Sequence, residues 1–143
     1  MLLYIDTSAW VKLYLEERGS GQVRRAFRDA EAWASAPLAW AELHAALRNR
    51  GRRGQLGSEE VDAALDRAAE HWPSFYKVDA ELALPHVGAV CARHPLRGAD
   101  AWHLASALGL AGRVGRVVFL CADRALVEAA AREDLDLLSL LDL

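Results

Sequence analysis

A chain of 143 residues has room for one domain with a real core and is too short for two. Its 53% hydrophobic content is that of a folded protein, and no apolar run approaches the length of a membrane span. A net charge of −3 argues against a protein that holds nucleic acid by bulk charge alone. The charge is uneven: residues 1–53 carry nine Lys/Arg against six Asp/Glu, and residues 54–143 carry eight against fourteen. Fifteen of the seventeen bases are Arg, the better bidentate phosphate binder, although a GC-rich genome produces the same bias. Cys91 and Cys121 lack metal-site spacing and read as buried thiols in a reducing cytosol. No basic leader precedes the first apolar run, so a cytoplasmic location is expected.

The unbroken run Leu2–Ile5 predicts a strand buried on both faces, and it stops abruptly at Asp6-Thr7-Ser8. A helix over Ala9–Leu15 follows, which places Asp6 at the carboxyl end of a strand, where open α/β sheets hold their ligands. All three polar residues are also good helix caps, so a capping role stands beside the functional one. A loop over residues 16–21 leads to a short helix, Gln22–Glu31, and then to a second strand, Trp33–Ser35. Helix Leu38–Arg50 carries Trp40, Leu43 and Leu47 at helical spacing. It also carries Glu42 among small apolar neighbours, with no base one turn away. Glu42 is therefore either a half-exposed carboxylate reaching a distant Arg or part of a site. The run Arg48-Asn49-Arg50-Gly51-Arg52-Arg53 suits the negative helix end and water, or else holds phosphates or an acidic partner.

Ser58 is expected to cap a helix whose buried stripe is Val61, Leu65, Ala68 and Trp72. Phe75–Val78 reads as a third strand, and Asp79 as the cap of a helix that Pro85 either kinks or delays to Leu84. Asp100 sits in the first turn of a strongly apolar helix, Ala101–Ala111. Val117–Cys121 is the next buried strand, Asp123 follows its carboxyl end, and a helix covers Ala125–Arg132. Leu135–Leu138 predicts a last strand, with an apolar tail through Leu143. The alternation implies a single α/β domain with a central, mostly parallel sheet of four to five strands.

Asp6, Glu42, Asp100 and Asp123 stand apart from the other sixteen acids. Two carboxylates 4 Å apart repel by about 1 kcal/mol in water and about 4 kcal/mol at an effective dielectric of 20. A convergence of four therefore calls for a cation or for raised pKa values. All-oxygen ligation suits Mg²⁺ or Mn²⁺, and acid-only metal sites serve phosphodiester hydrolysis. Glycine-rich phosphate loops are absent, so no nucleotide cofactor is expected. An aspartyl-phosphate phosphatase would want a second Asp where Ser8 stands, and a phospho-receiver would want a lysine later than Lys77.

Four short segments, in this order and spacing, carry a resemblance: Leu3-Tyr4-Ile5-Asp6-Thr7-Ser8, Leu38-Ala39-Trp40-Ala41-Glu42-Leu43, Arg97-Gly98-Ala99-Asp100-Ala101-Trp102-His103-Leu104-Ala105, and Leu120-Cys121-Ala122-Asp123-Arg124-Ala125-Leu126. Over essentially its whole length the chain resembles the PIN domains, and within them the VapC-type toxins of toxin–antitoxin pairs. The resemblance implies a PIN-like three-layer α/β/α sandwich and an endoribonuclease whose four acids bind one or two Mg²⁺ or Mn²⁺ ions. It implies hydrolysis of an RNA phosphodiester to 5′-phosphate and 3′-hydroxyl ends, a homodimer, and silencing by a small antitoxin lying over the active site. Many relatives have Thr or Ser just before the fourth acid, where this chain has Cys121-Ala122, which makes Asp123 the least secure of the four. Of Thr7 and Ser8, one is expected to support the metal shell and the other to cap. Arg97, Arg124, Arg50 and Arg52 are candidate contacts for RNA or antitoxin, with a plain surface arginine as the alternative at each. His103, three residues after Asp100, reads as a packed helix histidine or dimer-face residue, with contact to phosphate from the Asp100 face as the alternative. His44 reads as structural, and Trp10, Trp40 and Trp102 as core or dimer contacts. The rival reading is a PIN-like module that binds RNA or protein without cutting.

Overall fold

The structure, a computed structural model, describes residues 1–141, so the last two residues of the expected apolar tail lie outside it. Five strands, β1 (Leu2–Ile5), β2 (Ala32–Ser35), β3 (Tyr76–Lys77), β4 (Val117–Cys121) and β5 (Asp136–Ser139), form one sheet in the order β3-β2-β1-β4-β5. Every neighbouring pair is parallel. The helices are α1 (Thr7–Tyr14), α2 (Ser20–Asp29), α3 (Leu38–Arg52), α4 (Ser58–His71), α5 (Ala80–Arg93), α6 (Gly98–Val114) and α7 (Arg124–Ala130).

Strand alternation divides the interior into two cores. Leu3, Ile5, Val118 and Leu120 pack with residues of α1 to α4 on one face. Tyr4, Ala34, Val117, Phe119 and Cys121 pack with residues of α5 to α7 on the other. This is the three-layer sandwich that the resemblance implied. The chain steps outward from β1 to β2 and β3, then returns to lay β4 on the opposite side of β1. Right-handed crossovers put the helices of those two excursions on opposite faces. The order therefore reverses between β1 and β4, and the crevice of such a sheet opens at the carboxyl ends of that pair. Asp6 follows β1 there, and Asp123 follows β4.

Several local expectations change. Gly57, rather than Ser58, is the residue before α4, and Glu60 accepts its backbone N–H at 3.0 Å. Helix α5 runs unbroken through Pro85. Pro85 offers no N–H to the carbonyl of Glu81, but both residues are exposed, so water can serve that acceptor. Cys121 is buried as expected, whereas Cys91 lies exposed on α5.

Candidate active site

Each of the four acids is delivered by a different element. Asp6 ends β1 and is itself the N-cap of α1: its side chain accepts the N–H of Ala9 at 3.1 Å. Asp123 caps α7 in the same way, accepting the N–H of Leu126 at 3.0 Å. Glu42 stands in the second turn of α3, and Asp100 in the first turn of α6. Capping and site-forming are thus compatible, because a cap needs only one of the lone pairs on the carboxylate. Neither Thr7 nor Ser8 is the cap. Both serve carboxylates instead.

Asp6 is 3% exposed. The Ser8 hydroxyl lies 2.8 Å from both of its oxygens, and the Cys121 thiol donates to Oδ2 at 3.7 Å. The same Ser8 oxygen accepts the N–H of Ala122 at 3.0 Å, which ties the β4–α7 turn to the start of α1. Cys121 sulfur in turn accepts the N–H of Asp123 at 3.4 Å. A thiol therefore occupies the place where the sequence reading missed a hydroxyl, and it touches both the first acid and the backbone of the fourth. Burial pushes the Asp6 carboxyl above its usual range, against His103, Ser8, Ala9 and Cys121, all of which favour the ionised form.

Glu42 is held from two sides. Thr7 Oγ1 donates to its Oε1 at 2.8 Å, and His103 Nε2 donates to the same oxygen at 2.6 Å. Half-burial opposes its ionisation, but the hydrogen bond and charge of His103, with the Thr7 bond, outweigh burial and hold the carboxyl below the usual range. Asp100 behaves oppositely. Partial burial pushes its carboxyl up, Asp123 and Glu42 push it further, and Arg97 and His103 oppose them. Asp100 thus feels two of the other acids as nearby like charges, the repulsion that a convergent acid site creates.

The arginines divide. Arg97 Nε lies 3.8 Å from Asp100 Oδ2 with its side chain mostly exposed, and Arg124 is exposed beside Asp123. Arg50 donates to Glu17 at 2.6 Å, in a cleft of about 890 Å³ between α1, α3 and α4 that Arg53 and Arg67 also line. Arg52 donates to Asn49 at 2.7 Å. Both lie at the far end of α3, about 12 Å or more along the helix axis from Glu42. The structure does not bring them to the acids. His44 stacks edge-on against Trp40, with ring centroids 4.6 Å apart, and Trp10, Trp40 and Trp72 pack mutually against one another. Trp102 is half-exposed, beside Leu38 and Val78.

Sequence reasoning missed Tyr4 altogether. It is fully buried, and its hydroxyl lies 2.8 Å from His103 Nδ1. The available signal was a phenol in an otherwise apolar strand, since a buried tyrosine hydroxyl has to find a partner. It shares a strand face with Asp6, two residues on.

An oxygen-only donor set of this kind fits Mg²⁺ or Mn²⁺ by chemistry. The repulsion at Asp100, which Arg97 and His103 offset only in part, gives a cation something to neutralise. Among the described residues, no three His, Cys, Asp or Glu side chains form a ready-made cluster round a single ion. An ion here would take one or two carboxylates and complete its shell with water and phosphate oxygens, as Mg²⁺ commonly does.

The PIN domain family model matches residues 3–131. Ribonuclease VapC45 and Ribonuclease VapC49, both of Mycobacterium tuberculosis, are each 37% identical to the chain over 118 residues, 82% of this chain and 81% of the relative. Among solved structures, VapC20 of Mycobacterium tuberculosis, described as a Sarcin-Ricin loop cleaving toxin, superposes with a TM-score of 0.59 at 19% identity, over 89% of this chain and 94% of that one. PAE2754 from Pyrobaculum aerophilum gives 0.58 at 19% identity, over 98% and 92%. Those two likenesses speak for the fold, and the sequence matches speak for the family. The chain belongs to the PIN-domain family, among its VapC-type members.

Proposed function

We propose that this chain is a Mg²⁺- or Mn²⁺-dependent endoribonuclease, the toxin of a type II VapBC-like pair, acting in the cytoplasm as a homodimer that a small antitoxin silences. The observation that carries the reading is Asp100, whose carboxyl is pushed up by burial and by the charges of Asp123 and Glu42. Asp6 stands behind them at the carboxyl end of β1, held by Ser8, Ala9 and Cys121. The relatives named as ribonucleases supply the reaction class. No described helix is long and apolar enough to cross a membrane, in keeping with an RNA substrate. The partly exposed Trp102, with partly exposed Leu38 beside it, supports a second copy of the chain on that face.

Asp6, Glu42, Asp100 and Asp123 would hold one or two ions between them, each ion taking one or two of these carboxylates directly and meeting the others through water. When bound, such an ion neutralises the clustered carboxylates and the phosphate, and makes a water nucleophilic enough to attack phosphorus. The protein's own contribution is placement. Ser8 and the Ala9 N–H fix both oxygens of Asp6, and Thr7 and His103 fix one oxygen of Glu42. Arg97 and Arg124, exposed beside Asp100 and Asp123, suit phosphates of the RNA strand or the acidic tail of an antitoxin.

The test is direct. The purified chain, Asp6→Asn and Asp100→Asn are each incubated with total RNA plus Mg²⁺, Mn²⁺ or EDTA. The expected result is discrete cleavage by wild type that needs the metal and disappears in both folded variants. A folded wild type that binds RNA but leaves it intact with either metal would favour the non-cutting PIN-like module.

A further inference from the structure

We infer that Tyr4 and His103 are positioning residues that aim Glu42 into the site, by a hydrogen-bonded chain running Tyr4–His103–Glu42–Thr7. The inference rests on the metal-site reading above. It adds two residues that make no part of the acid set.

The chain of contacts crosses the molecule. Tyr4 belongs to β1 and to the core under α6, His103 to α6, and Glu42 to α3 on the opposite face of the sheet. His103 therefore spans the carboxyl end of the sheet and joins the two helical layers there. Both of its ring nitrogens are engaged, Nδ1 with the Tyr4 hydroxyl at 2.8 Å and Nε2 with Glu42 Oε1 at 2.6 Å. An ionised carboxylate has no proton to give, so the proton of the second bond sits on Nε2 whichever way the Tyr4 hydroxyl points. The Tyr4 ring meets the imidazole edge-on, with centroids 5.9 Å apart at 77°, so packing fixes the ring plane as well.

Both donors to Glu42 fall on Oε1. Among the described residues Oε2 has no protein hydrogen bond, and the side chain keeps 27% of its exposure. One oxygen is thus anchored twice and the other left for a ligand. Partners of this kind behind a metal-binding carboxylate typically contribute 10–100-fold in metal affinity or activity. A packing role alone would require neither the second donor on one oxygen nor the shared proton geometry.

Mn²⁺ affinity, measured as free Mn²⁺ by electron paramagnetic resonance, reads this without relying on cleavage. His103→Ala is expected to weaken Mn²⁺ binding about 10–100-fold. Tyr4→Phe is expected to weaken it less, and to add nothing in the His103→Ala background, because Tyr4 acts through the imidazole. His103→Gln, whose amide can donate to Glu42, is expected to recover part of the affinity. His94→Gln is the control. It removes a buried histidine's 2.7 Å bond to Glu133, a pair that makes no hydrogen bond or ion pair with any of the four acids, and should lower Tm without moving Mn²⁺ affinity. Should His103→Ala not fold, Tyr4→Phe and His103→Gln carry the test. Unchanged Mn²⁺ affinity in folded Tyr4 and His103 variants would overturn the inference, as would equal losses in His94→Gln. A wild type that binds Mn²⁺ but cuts no RNA would sink the ribonuclease reading and leave this one to be judged on affinity. A wild type that binds no Mn²⁺ overturns both.

Discussion

Asp6 is 3% exposed, and burial there works against its ionised form. Its folded-state pKa lies above the unfolded one, so the unfolded chain releases this proton first as pH rises. The folded state then binds more protons than the unfolded state, and stability falls through the window between the two values. Above that window the loss is complete. Asp6→Asn keeps an oxygen for the Ala9 N–H and removes a carboxyl whose ionisation burial opposes. It is expected to raise urea-unfolding stability at pH 7 by about 1 kcal/mol while abolishing cleavage, the usual conflict between site and fold. A clear loss of stability would show that the carboxylate is fully compensated by its donors. The raised Asp6 and Asp100 also compete with metal for protons. Mn²⁺ affinity should therefore climb with pH, its midpoint above the ordinary carboxylate value of about 4, before levelling off. In Glu42→Gln that midpoint should move down, because one repelling charge beside Asp100 is gone. An unmoved midpoint would show that Glu42 does not reach Asp100.

At the scale of elements, the pose of α6 decides where Asp100 and His103 lie, and α6 is set by its contact with α5. A side chain added at Gly109 would put its Cβ 2.1 Å from the Leu82 carbonyl oxygen, a collision with backbone that no rotamer relieves. Gly109→Ala is expected to cost about 1–3 kcal/mol in urea unfolding, and to lower metal affinity if α6 slides. A neutral result would mean that α5 can retreat freely. Nothing in the sequence distinguishes Gly109 from a tolerated helix glycine, because a close approach is a property of two segments. By contrast β1 and β4 were legible at once: burial on both faces writes an unbroken apolar run. Only β3 shrank markedly, to Tyr76–Lys77, with Tyr76 exposed at the sheet edge. The acids could be picked out singly from strand ends and helix starts. The Tyr4–His103 contact could not, since 99 residues separate the pair and each looks like ordinary core.

For the molecule as a whole, the four acids come from segments spread over residues 6 to 123, and only the folded sheet brings β1, α3, α6 and the β4–α7 turn to one rim. The unfolded chain has no such site. An ion that binds there stabilises the folded state by mass action, about 2.7 kcal/mol at a hundred times its Kd. For a domain of this size about 1 kcal/mol moves Tm by about 2–4 °C, so saturating Mn²⁺ or Mg²⁺ should raise Tm by about 5–10 °C. The chain already carries a net charge of −3, so general screening also favours compactness slightly. Sodium chloride at matched ionic strength isolates that effect and should give a much smaller rise. The divalent increment should vanish with EDTA and in Asp100→Asn, where the repulsion that a cation relieves has been removed. Equal shifts from sodium and from either divalent ion would mean that the acids do not act together on a metal. The repulsion around Asp100 would then have to be relieved by protons or by the cationic groups of a partner.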